Sequence, residues 1–192
     1  MRLTGRLVVV LVAVTLALAA SGCGGNKSYS GTKPSIWTAH TCGALTTWRD
    51  SLVASSQRLN VNLRNVRDLK AVKARVLVFL ENAERSTSTL IDQVKSTGAP
   101  AVKDGAEIQH DLERGLIRAR SSFTRAIARA KQLPTDDSQA FSGALTTLGE
   151  GIRKELTTTG TYFSNLSDKY DSKELRDAVS KEPACQSISS TS

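Results

Sequence analysis

Three thiols, two imidazoles and an uneven set of guanidinium groups are the side chains of this 192-residue chain with chemistry to offer. A thiolate can be alkylated, oxidised to a disulfide or bound to a metal, so the placement of Cys23, Cys42 and Cys185 decides which of these applies. His40 and His110 have no Cys or carboxylate around them at metal-ligand spacing, and both read as solvated or capping residues. There is no Gly-rich phosphate loop, no Gly-x-Ser-x-Gly elbow and no Glu-x-x-His pair of the di-iron kind. Acidic residues in the helical stretches read as isolated or facing solvent. The expectation is a protein with no catalytic residue, no metal and no cofactor.

Cys23 follows a leader. Arg2 and Arg6 are followed by fourteen apolar residues (7–20), too short a run to span a bilayer permanently. Ala20-Ser21-Gly22-Cys23 then resembles a bacterial lipobox, with Ala20 where leucine is commonest. The resemblance implies a lipoprotein-type signal peptide over 1–22, diacylglycerol attachment to the Cys23 sulfur, and cleavage before it. Acyl chains such as palmitate would hold the chain on the extracytoplasmic face of the cell membrane. Residues 24–35 are small, polar and Gly/Ser-rich, which extends a flexible tether across 23–37. The folded domain is expected over 38–188, with a tail at 189–192.

Export leaves Cys42 and Cys185 in an oxidising compartment, where two remaining thiols pair. That bridge would close nearly the whole folded region, and on chain-entropy grounds would stabilise it by about 5 kcal/mol at most. It also requires the start of the first helix to lie beside the end of the chain.

The elements in between read as helices by their period. Leu45, Trp48, Leu52, Ser55, Leu59 and Val66 recur at steps of three and four, with a few longer gaps, in and just past a first helix over about 41–63. A second helix, over about 67–96, carries Leu69, Val72, Val76, Phe79, Ala83 and Leu90, with Asn65 as its N-cap. Gly98 and Pro100 end it. The third helix opens at Asp104-Gly-Ala-Glu107 and the fourth at Asp136-Asp-Ser-Gln139, both capping-box patterns. Their stripes run from Ile108 to Ala130 and from Phe141 to Leu166. A short fifth helix begins at Asp171-Ser-Lys-Glu174 and stops before Pro183. No segment alternates with a period of two. The expected fold is all-α: an antiparallel up-and-down four-helix bundle with a short C-terminal fifth helix. Gly149 and Gly151 flank the Leu148/Ile152 stripe, marking either a close helix approach or a groove beside a ligand.

With 26 basic and 18 acidic residues the net charge is +8. Arg58, Arg64, Arg67, Lys70 and Lys73 crowd the first corner, and Arg114, Arg118, Arg125 and Arg129 fall on the face of the third helix opposite the Leu112/Phe123 stripe. In the expected topology both groups lie at the pole opposite the disulfide. They are either the solvated faces of Arg-rich helices or a basic cap that contacts an anionic wall polymer or an acidic partner protein. Nucleic acid is not expected, because aromatics are only 5% and none interleave with the basic residues. Oligomeric state is not legible.

Cys23 in its lipobox, Cys42-Gly-Ala-Leu-Thr-Thr-Trp48, Gly98-Ala-Pro100 with Gly105, and Pro183-Ala-Cys185 together resemble uncharacterised small lipoproteins and small secreted proteins of actinobacteria. The resemblance implies location and fold class but no catalytic residue. The functional expectation is a membrane-anchored, non-enzymatic binding module of the cell envelope. The alternative is a carrier or sensor of a small amphiphile held between the helices near Gly149 and Gly151.

Overall fold

The computed structural model describes residues 29–63 and 68–189. The leader with Cys23, the corner residues Arg64, Asn65, Val66 and Arg67, and the last three residues lie outside the described part. Four long helices and two short ones account for almost all of it: α1 (Pro34–Leu63), α2 (Leu69–Thr97), α3 (Gly105–Lys131), α4 (Ser138–Lys169), α5 (Lys173–Lys181) and α6 (Pro183–Ser189). The long helices measure roughly 40–48 Å at 1.5 Å per residue. They run up and down in sequence order, as an antiparallel bundle. Close backbone seams join α1 to α2, α2 to α3 and α3 to α4, while α5 and α6 pack on α1. No comparable seam joins α1 to α4 among the described residues.

The stripes bury as their period requires. Leu80, Ala83, Phe123, Ala126, Ala130 and Leu148 form the core of the half remote from the chain ends, with Trp48, Leu52 and Leu59 of α1 packed against it. Leu90, Ile91, Val94 and Leu116 fill the other half. Both tryptophans of this core find acceptors: Trp48 Nε1 donates to Thr87 Oγ1 at 2.9 Å. Gln109, 7% exposed, accepts from Trp37 Nε1 at 3.1 Å and donates to the Val94 carbonyl at 2.9 Å, tying α1, α2 and α3 together.

Cys42 and Cys185 form a disulfide across 143 residues of sequence, with their Cα atoms 5.0 Å apart. Around it Arg49 Nη1 donates to the Ser187 carbonyl at 2.7 Å and Thr46 Oγ1 to the Ala184 carbonyl at 3.2 Å, which seats α6 on α1.

Several helix starts differ from the sequence expectation. α1 begins at Pro34, seven residues before position 41, so the folded part claims the end of the expected tether. Proline suits the first helical position because its missing N–H would have no partner there. Thr32 is fixed too: its N–H donates to Ala99 O and its carbonyl accepts from Ala101 N, both at 2.8 Å, while its hydroxyl reaches Thr97 O at 2.6 Å. Asp68 caps α2 through Lys70 N at 2.9 Å. Asp137 rather than Asp136 caps α4 through Ala140 N at 2.6 Å, and Ser172 rather than Asp171 caps α5. No capping box opens α3: Asp104 has φ 58° and its side chain makes no cap bond. The Pro100 turn sets that entrance, since Gly105 lies so close to the Pro100 carbonyl that a Cβ there would sit 2.0 Å from its oxygen. Gly98, with φ 71°, ends α2 as expected.

The tightest approach of α3 to α4 is at Gly115, where an added Cβ would lie 2.4 Å from Phe163 and 2.9 Å from Tyr162. Gly143, on the outer side of α4, meets nothing within 4 Å. Alanine normally gains about 1 kcal/mol over glycine inside a helix. Gly143→Ala should therefore raise stability, whereas Gly115→Ala should lower it by about 1–3 kcal/mol through overpacking. Denaturant midpoints of the two variants give the opposite signs that check this seam.

Candidate functional site

α3 leaves the disulfide pole at Gly105 and runs toward the opposite pole, which decides where its arginines lie. Arg114 is only nine residues into the helix, about 14 Å along it, and so belongs to the half nearer the disulfide. This takes Arg114 out of the expected remote cap, while Arg125 and Arg129 lie in the remote half of the helix. On a helical wheel Arg118, Arg125 and Arg129 fall on the shoulder of α3 toward Ser122 and Gly115, where α4 approaches, while Arg114 stays nearly opposite the core stripe. The distal cap is further thinned because Lys73 Nζ donates to the Leu133 carbonyl at 2.9 Å, a structural contact that closes the α3–α4 turn. Arg58 reaches Ser55 Oγ at 3.4 Å, and Lys70 is exposed. Arg64 and Arg67 are outside the described residues.

What the structure assembles is a groove between α3 and α4, about 650 Å3 in volume. Arg118, Arg125 and Arg129 line it from α3, and Gly151, Lys154, Glu155 and Thr158 from α4. Arg125 Nη2 donates to Glu155 Oε2 at 2.7 Å, and Arg129 Nη2 to Glu155 Oε1 at 3.3 Å. The Arg125 hydrogen bond holds the Glu155 carboxyl below its usual range, against partial burial. Arg118 lies over the Tyr162 ring, 4.5 Å from its centroid. Four cations thus face one carboxylate in the groove, and both guanidinium groups of the pair remain half exposed.

Gly151 opens this groove: a Cβ there would lie 2.8 Å from Arg129 Nη1. Gly149 faces open space. Arg129, Lys154 and Glu155 line the groove at Gly151, together with the Ser122 and Thr158 hydroxyls and the Ile117 side chain.

About two turns beyond the groove, toward the disulfide pole, is a carboxylate that the sequence reading missed. Asp111 is 6% exposed and accepts from Lys169 Nζ and Tyr170 OH, both at 2.8 Å. Its backbone carbonyl accepts from Tyr162 OH at 3.0 Å, and Arg114 stands 3.5 Å from its side chain. The Lys169 hydrogen bond, then that of Tyr170, lowers its pKa to about 2 despite burial, and Lys169 is shifted upward in turn. Asp111 therefore does not face solvent. It locks the end of α4 onto α3 and neutralises Arg114. Neither Asp111 nor Glu155 carries a local sequence signal, because their partners are 58 and 30 residues away.

His110 is exposed and shares a contact with Arg114 at 3.1 Å, and His40 is exposed on α1. Among the described residues no three His, Cys, Asp or Glu side chains gather where they could hold a metal ion, and no helix is long and apolar enough to cross a membrane. The groove offers an excess of cationic side chains, which is binding chemistry for anions. No protein-family model matches the chain, and comparison with curated proteins and with solved structures gives no match.

Proposed function

We propose that this protein is an extracytoplasmic lipoprotein, anchored to the cell membrane through Cys23, that binds anionic wall polymer without catalysing a reaction. The observation that carries the reading is the row Arg118, Arg125 and Arg129 along one shoulder of α3, bordered by α4. The row extends about 16 Å along the helix axis. Such a line suits a chain of repeated negative charges better than a single small anion, because each further contact is made at high effective concentration. The lipobox at 20–23 supports the anchor, and the disulfide accords with export. The likeness to small actinobacterial lipoproteins belongs to the same reading.

Purified mature chain should bind anionic wall polymer, and the affinity should fall roughly tenfold or more between low and physiological salt. The triple reversal of Arg118, Arg125 and Arg129 to Glu should abolish binding while circular dichroism keeps its helical signal. Salt-independent binding, unaltered binding by the triple variant, or tighter capture of an acidic protein segment would set the reading aside. Mass spectrometry of the native amino terminus tests the anchor separately: an unacylated Cys23 removes it.

A further inference from the structure

Arg125 and Arg129 reach from adjacent turns of α3 to one carboxylate. Arg125 grips Glu155 Oε2 with Nη2 at 2.7 Å and Nε at 3.2 Å, and Arg129 takes Oε1 at 3.3 Å. Glu155 thus offers two oxygens sharing one negative charge to two guanidinium groups. A phosphodiester and a uronate offer the same acceptor, which is the shape a guanidinium fork matches.

The hydroxyls beside this seat are polarised in one direction. Ser121 Oγ donates to Ile117 O at 2.9 Å, Ser122 Oγ to Arg118 O at 3.1 Å, and Thr158 Oγ1 to Lys154 O at 3.0 Å. Each hydroxyl proton is committed to its own helix, so each presents only oxygen lone pairs to the groove. Ser122 already accepts from Arg125 Nη2 at 3.3 Å. Ser121 and Thr158 remain as acceptors. The groove therefore donates through its cations and accepts through its hydroxyls. A matching ligand carries anions for the first and O–H donors for the second. Polyanions without hydroxyl groups satisfy only half of this lining.

We infer that the α3–α4 groove takes a hydroxylated chain, of sugar or polyol units bearing phosphodiester or uronate groups, and that Glu155 occupies the seat of the ligand's anion until displaced. This inference rests on the polymer contact proposed above and specifies its chemistry. Glu155 is a competitor built into the site: its removal frees both guanidinium groups.

The test uses the mature full-length chain and three probes at matched charge concentration. These are a glycerol-phosphate polymer, polygalacturonate and long-chain inorganic polyphosphate, which lacks hydroxyls. At least one hydroxylated polymer should bind several-fold tighter than polyphosphate, and whichever binds tighter identifies the anion source. Glu155→Gln should tighten binding by roughly three- to tenfold. The double variant Ser121→Ala, Thr158→Ala, at two surface positions that leave the fold intact, should weaken hydroxylated polymers and leave polyphosphate unchanged. Polyphosphate binding as tightly as both hydroxylated probes, or Glu155→Gln leaving affinity equal or lower, overturns the inference while the polymer contact stands. Failure of the unsubstituted chain to bind any of the three overturns both.

Discussion

Replacing Cys42 and Cys185 together by serine lowers the unfolding free energy by up to about 5 kcal/mol, because the bridge closes a loop spanning almost the entire folded chain. The same loss appears on reduction of the unsubstituted protein. Local contacts make the loss uneven. With the bridge gone, α6 is held to α1 by non-covalent contacts alone, among them those of Arg49 and Thr46 to its backbone. Helices α5 and α6 should therefore open first, visible as rapid amide exchange at 173–189 while α2 and α3 stay protected. Equal denaturant midpoints for oxidised and reduced protein would contradict this account.

Asp111→Ala should be the most damaging single substitution on the polar side of the fold. It strips Lys169 and Tyr170 of their shared acceptor and leaves Arg114 without its neutralising carboxylate. A loss of about 2–3 kcal/mol is expected, below that of a fully buried ion pair because Lys169 and Arg114 are largely exposed. The same carboxyl sets an acid limit. Its pKa is lowered from 3.8 to about 2 in the folded state, so its contribution is complete above pH 3.8 and is lost as pH falls through 2. Between those values the unsubstituted protein should lose about 2 kcal/mol relative to Asp111→Asn, which has no such titration. Chemical denaturation at pH 5 and pH 2 for both proteins measures the difference. Parallel losses would mean that Asp111 is not the group responsible.

The four long helices were legible because apolar residues recur at steps of three and four over stretches long enough to outweigh local exceptions. The disulfide was legible because the expectation of export left two thiols to pair, and an even number of long helices brings the two chain ends to one pole. What failed was local. Pro183 read as a stop because it follows a helix, yet the same residue starts α6. Trp37 was lost to the tether because its neighbours are small and polar, although Trp37, Thr41, Leu45 and Trp48 continue one stripe. Adjacent Asp136 and Asp137 can each cap a helix, and chain direction out of the turn selects the second. The arginines were placed opposite the core stripe from a helical wheel that contains one helix. The second helix is admitted beside them by Gly115, whose missing side chain lets Phe163 come close. Nothing within α3 alone signals that.

Pinning Thr32 to Ala99 and Ala101 gives the molecule a strain relief, in the sense used for a cable entering a housing. Tension on the chain ahead of Thr32 is taken first by the turn between α2 and α3, before it can unwind the opening turn of α1. If that grip slips, the load travels only ten residues further to a covalent stop at Cys42, which shares it with the far end of the chain. A pull on the chain ahead of Thr32 thus meets two fixed points before it can peel the helices one by one.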